Sequence, residues 1–110
     1  MIVISGSIVC TPEAFNEVFE LSLAHTQRAR TVAGCLMHTV HVDAENGLRL
    51  VFLEHWADRA SVLAHFADQR SMEFIERVRE LAAEPPGIRI FEGTEIGMRD
   101  LMARPADTAD

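Results

Sequence analysis

The side chains best suited to chemistry in this chain cluster between Gly34 and Phe66. Four of its five histidines lie there (His38, His41, His55 and His65), with its single tryptophan, Trp56, and an acid two residues earlier, Glu54. An imidazole with an ordinary pKa of about 6.5 can take or release a proton near neutral pH. His65 follows Val62 by three residues and adjoins Phe66, at the edge of an apolar helical stripe. It is either a boundary residue finishing a helix surface or a base beside a cleft. Trp56 should share a strand face with Phe52 and Glu54, either as core filler or as a flat wall against which an aromatic ligand stacks. Glu54 falls between two aromatics on that face, where an isolated charge is costly. The plain expectation is an ion pair with Arg49 or Arg89. The functional alternative is a carboxylate that orients a histidine or binds a substrate hydroxyl.

Metal chemistry is not expected. His38-x-x-His41 resembles a ligand pair, but strand residues three apart point to opposite faces. Cys10 and Cys35 match neither a zinc motif nor a disulfide framework. His25, at a Val18–Ser22–Ala29 helical stripe, could approach the sheet from the helix side and join His65. If Asn46-Gly47 forms a two-residue turn, His38 falls opposite His55 as a cross-strand pair that repels when protonated.

The elements that must position these residues follow from the patterning. Residues 2–10 are rich in β-branched side chains and read as a first strand. Thr11-Pro12-Glu13 starts a helix that runs to about Arg30 or Val32, and Gly34 ends it. Residues 35–43 and 48–56 form a hairpin. Leu36, Val40 and Val42 are expected on one face of its first strand, with Cys35 and Met37 on the other. Leu50, Phe52 and Trp56 oppose Val51 and Leu53 on its second. Asp58 caps the next helix and Ser71 a third, whose stripe is Phe74, Val78 and Leu81. Glu84-Pro85-Pro86-Gly87 stops it, and residues 88–96 form the last strand. The order predicts an α+β, ferredoxin-like antiparallel four-stranded sheet with helices on one face. Apolar residues on both sheet faces exceed what these helices cover, which points to a homodimer through the helix-free face.

The 110 residues make one domain, expected over residues 1–96, followed by a tail over 97–110. The tail's Met98, Leu101 and Met102 are expected to pack on something such as a partner subunit, and its last residues to fray. A net charge of −7, with no lysine and scattered arginines, argues against nucleic acid. The apolar start is too short to span a bilayer and lacks a basic leader, so no membrane contact and a cytoplasmic location are expected.

Gly34-Cys35-Leu36, then Glu54-His55-Trp56, then Ala60 to Phe66 with its Ala-His-Phe ending, resemble the antibiotic biosynthesis monooxygenase family over about residues 2–96. The resemblance implies a dimeric α+β barrel. It also implies, by likeness to the family's quinol monooxygenases, cofactor-independent oxidation of an electron-rich aromatic, a quinol or anthrone, by O2. On that reading His65 is the base and Trp56 its catalytic neighbour, with Phe52, Glu54, His25 and Phe66 binding substrate and no cofactor. The family's haem-degrading branch uses an asparagine early in strand one, where this chain has Ser5 and Ser7. With no tyrosine present, a tyrosine-dependent anthrone mechanism does not carry over. The alternative is a dimeric small-molecule-binding or stress-associated protein of the same fold without turnover.

Overall fold

Strand β1 (Ile2–Val9) sets the two faces of the molecule: Ile2, Ile4 and Ile8 are buried while the odd-numbered residues between them are half-exposed. The computed structural model describes residues 1–103. After β1 come α1 (Phe15–Ala29), β2 (Cys35–Asp43), β3 (Asn46–Trp56), α2 (Arg59–Ala67), α3 (Gln69–Leu81), β4 (Gly87–Glu92) and α4 (Met98–Ala103). The strands form one antiparallel sheet in the order β2-β3-β1-β4. This is the expected ferredoxin-like arrangement, with α1, α2 and α3 on one face of the sheet.

Two apolar clusters lie beneath the helices. One joins Ile8, Val18, Leu50, Phe52, Phe74 and Val78; the other joins Ile2, Ile4, Ala29, Trp56 and Val62. The α3 stripe Phe74–Val78–Leu81 packs into the first as its spacing predicted. The opposite face carries Val3, Met37, Val51, Leu53 and Phe91 with no helix over it, and Leu53 and Phe91 are exposed.

Several boundaries differ from the expectation. α1 starts at Phe15: the Thr11 hydroxyl instead accepts from the Ala14 N–H in a turn before the helix. Gly34 lies in the left-handed region (φ +90°) but beyond the helix end at Ala29, where it leads into β2. The hairpin turns at Ala44-Glu45, not at Asn46-Gly47. Asp43 pairs with Asn46, and its carboxylate accepts from the Glu45 N–H. An irregularity between Val42 and Asp43 then shifts the pairing, so that His38 lies opposite Glu54 and His55 opposite Met37. A bulge between Cys35 and Met37 breaks the alternation, so Cys35 packs on the Trp56 cluster while Leu36 is exposed.

Asp58 caps α2 as expected, accepting from the Ser61 N–H at 2.8 Å. Asp68 rather than Ser71 caps α3, and Ser71 is buried inside that helix. β4 ends at Glu92, and α4 follows with Met98, Leu101 and Met102 exposed. The last six or so residues, expected to fray, lie outside the described residues. Among the described residues no helix is long and apolar enough to cross a membrane.

Candidate active site

Three elements each deliver one histidine to the gap between the two apolar clusters. His25 comes from the buried stripe of α1, His38 from the inward face of β2, and His65 from α2. These residues are 5%, 1% and 2% exposed, so the rings are withdrawn from bulk water. Ring centroids lie 4.9 Å apart for His25–His65, 5.5 Å for His25–His38 and 5.7 Å for His38–His65. Aromatic neighbours fix the rings. Phe74 stacks on His25 at 4.1 Å, Trp56 stacks on His65 at 4.9 Å, and Phe52 meets His38 edge-on.

The polar atoms of this cluster are poorly satisfied. Among the described residues, His25 Nδ1, both ring nitrogens of His38 and His65 Nε2 have no hydrogen-bond partner, nor do the hydroxyls of Ser22 and Thr26 on the same stretch of α1. Glu54 Oε1 accepts from the Trp56 indole N–H at 2.9 Å. The same oxygen lies 3.4 Å from His38 Nε2, a close approach without hydrogen-bond geometry. Burial pushes the Glu54 carboxyl up, and the indole N–H partly offsets this. The ion pair expected for Glu54 does not form: Arg49 binds Asp43, and Arg89 lies over the Phe91 ring.

Burial also disfavours charge on the imidazoles. It lowers His25 to about 3, with His65, His38 and Arg28 adding to the effect and Asp68 opposing it. It lowers His38 to about 4, reinforced by His65 and Arg30, and it lowers His65 as well. Glu54 does not offset the fall at His38, consistent with the absent hydrogen bond. At neutral pH all three rings are neutral.

A cleft of about 180 Å³ opens beside the cluster. Phe52, Glu54, His25 and Phe66 all line it, together with Phe74 and Ile88. The four side chains expected to bind substrate thus converge on one cavity. The two expected to be catalytic stand behind it: Trp56 is fully buried on the Ile2–Ile4 cluster, and His65 lies behind two of the lining rings, 4.9 Å from His25 and 5.6 Å from Phe66. Trp56 is therefore a wall for His65, not for a ligand. His38 was not expected here. Its parity with Val40 on β2 was the available signal, since Val40 packs inward. His41 points outward to the Thr39 hydroxyl, so the two do not form a pair.

A family model for antibiotic biosynthesis monooxygenases matches residues 1–77, which hold β1 to α2, most of α3 and every residue of the histidine cluster. The chain belongs to the antibiotic biosynthesis monooxygenase family. It is similar to an uncharacterised Synechocystis protein, 30% identical over 94 residues, which cover 86% of this chain and 64% of that protein. Its fold matches the crystal structure of an antibiotic biosynthesis monooxygenase (TM-score 0.79, 21% identity, 86% of this chain and 100% of the other). It also matches Rv0793 from Mycobacterium tuberculosis (TM-score 0.80, 19% identity, 86% and 96%). At these identities the structural likeness establishes the monooxygenase-type fold and no particular substrate.

Proposed function

We propose that the protein is a cofactor-independent monooxygenase of a single-ring hydroquinone, active as a homodimer. The observation that carries this reading is the neutral, unpartnered His25 imidazole on the wall of an apolar cleft, backed by His65. Oxygenation without a cofactor needs a substrate that supplies the electrons, a group to take its phenolic proton, and exclusion of water. The cleft volume of about 180 Å³ favours one ring over the three of an anthrone, since a cavity of about 150 Å³ holds a benzene.

In this reaction His25 accepts the phenolic proton, and the imidazolium is stabilised by the anion it has just created. His65 is a positioning residue that holds His25 from behind, with Trp56 fixing its ring. Phe52, Phe66 and Phe74 enclose the substrate ring, and Glu54 accepts from its second hydroxyl. The ring anion transfers an electron to O2, and the two radicals join in a carbon–oxygen bond to give a hydroperoxide. Loss of water breaks the O–O bond and the C–H bond at that carbon. One hydroquinone and one O2 thus yield one hydroxyquinone and one water, and His25 returns its proton to the departing oxygen. The homodimer closes over the apolar helix-free face.

Oxygen uptake by metal-stripped protein against hydroquinones, naphthohydroquinones and anthrones tests this. Uptake is expected with the single-ring substrates. His25→Ala should lower kcat by about 100-fold or more. His65→Ala should lower kcat and leave KM unchanged, with partial recovery in His65→Gln. Unaltered kinetics in both alanine variants would remove the histidines from the reaction. A second reading, a ligand-binding protein without turnover, draws support from the complete sealing of Trp56 and His65 behind the cleft. It predicts ligand-induced melting shifts with no oxygen consumed.

A further inference from the structure

The three buried imidazoles have a property that proton transfer does not use. We propose that His25, His38 and His65 form a three-histidine site for one divalent first-row transition-metal ion, with Glu54 as the supporting carboxylate beside His38. A tetrahedral ion with metal–nitrogen bonds of about 2.0–2.1 Å sets its imidazole ring centres roughly 5 Å apart. Here the three centroid separations are 4.9, 5.5 and 5.7 Å. One ring nitrogen from each residue lies within 4.8 Å of the other two. Donor nitrogens of a tetrahedral ion stand roughly 3.4 Å apart, so binding draws the three rings inward from these positions.

The chemistry of the donors agrees with the geometry. Four ring nitrogens of the cluster are buried without partners, and each such atom costs about 1–3 kcal/mol unless something accepts its lone pair or its proton. An ion takes up one lone pair from each ring. Three imidazoles suit zinc, copper, iron, cobalt or nickel and not calcium or magnesium, which want oxygen ligands. A ligating histidine commonly gives its other N–H to a carboxylate, and Glu54 stands 3.4 Å from His38 for that purpose. Three protein ligands leave a fourth position open.

Metal binding stands on this geometry alone. Its consequence for turnover rests on the proposed oxygenase reading: an ion held by the His25 ring takes that ring out of proton transfer, so it inhibits.

The test is a Co2+ titration of metal-stripped, tag-free protein, followed by visible absorption and thermal melting, with oxygen uptake on a hydroquinone measured in the same samples. One equivalent of Co2+ should give the intense ligand-field bands of a four-coordinate ion, raise the melting temperature and be removed by a chelator. His25→Ala, His38→Ala and His65→Ala should each weaken binding by more than the roughly 10–100-fold expected of Glu54→Gln. His41→Ala and His55→Ala should leave it unchanged. Should a core variant fail to fold, the wild-type protein answers by NMR: Co2+ should shift the imidazole signals of three of its five histidines. Absent bands at stoichiometric Co2+, or binding that survives the three core substitutions, overturns the site. Binding with no oxygen uptake in any sample upholds the site and counts against the oxygenase. Uptake that rises with Co2+ upholds the site and overturns its inhibitory role.

Discussion

At the residue scale the decisive fact is that this protein buries three imidazoles and a carboxyl together. The unfolded chain protonates its histidines near their ordinary value of 6.5, whereas burial holds His25 at about 3 and His38 at about 4 and lowers His65. The charged groups facing them are Arg28 on α1, Arg30 just after it, Asp68 between α2 and α3, and Glu54 on β3. Below 6.5 the unfolded chain binds protons that the folded one refuses, so stability is full above that value and falls with pH toward about 4 and then 3. Glu54, raised by burial, works in the opposite sense, but one carboxyl is set against three rings. Metal-free protein in a chelator should lose on the order of a few kcal/mol between about pH 7 and about pH 4.5, read from urea midpoints at stepped pH. A flat profile would mean that the rings are hydrated or charged in solution. The grouping of His25 with His65 was legible in the sequence, because the α1 stripe pointed at the sheet. His38 was not, because its role depends on its partner across the hairpin.

At the element scale, connections decide what the strands and helices present. Gly34 adopts φ +90°, and a Cβ there would lie 1.9 Å from the Ser61 hydroxyl on α2. Conformation and close approach therefore both demand glycine. Gly34→Ala should cost about 2 kcal/mol or more in denaturant unfolding. Adding Ser61→Ala should recover only the share of that loss due to the hydroxyl, because the Ser61 Cβ would still lie 2.6 Å from the new Cβ, and should leave the part due to φ. Equal stability of Gly34→Ala and wild type would show that α2 moves away at no cost. The helix stripes were read well because that signal is local, but of the expected helix starts only the Asp58 cap is found: Thr11 lies in a turn before α1, and Asp68 caps α3. The hairpin was read less well: Asn46-Gly47 is a strong turn signal, but the Asp43 carboxylate on the Glu45 N–H and the Asn46 side chain on the Leu48 N–H favour a turn two residues earlier.

At the scale of the whole molecule, one sheet face is covered by helices and the other presents Val3, Met37, Val51, Leu53 and Phe91. A face of this kind on a short chain is best buried against a second copy. Sedimentation at micromolar concentration should show a dimer, and Leu53→Glu combined with Phe91→Glu should give a folded monomer. A monomeric wild type would refute that use of the face. Exposed Met98, Leu101 and Met102 on α4 add to the uncovered apolar surface.

The sequence alone determined the element order, the helix stripes and the inward face of β3, because each is written in spacings of two, three or four residues. It also brought Phe52, Glu54, His25 and Phe66 to one candidate site. The tertiary structure decided the rest. The irregularity between Val42 and Asp43, next to the turn at Ala44-Glu45, shifts the hairpin so that His38 meets Glu54 instead of His55, and the bulge at Cys35–Met37 turns Cys35 inward. Packing of α2 against Trp56 seals His65 behind His25, exchanging a ligand-facing base for a buried cluster. Register and helix docking are sums over many weak long-range contacts, so no short stretch of this chain encodes them by itself.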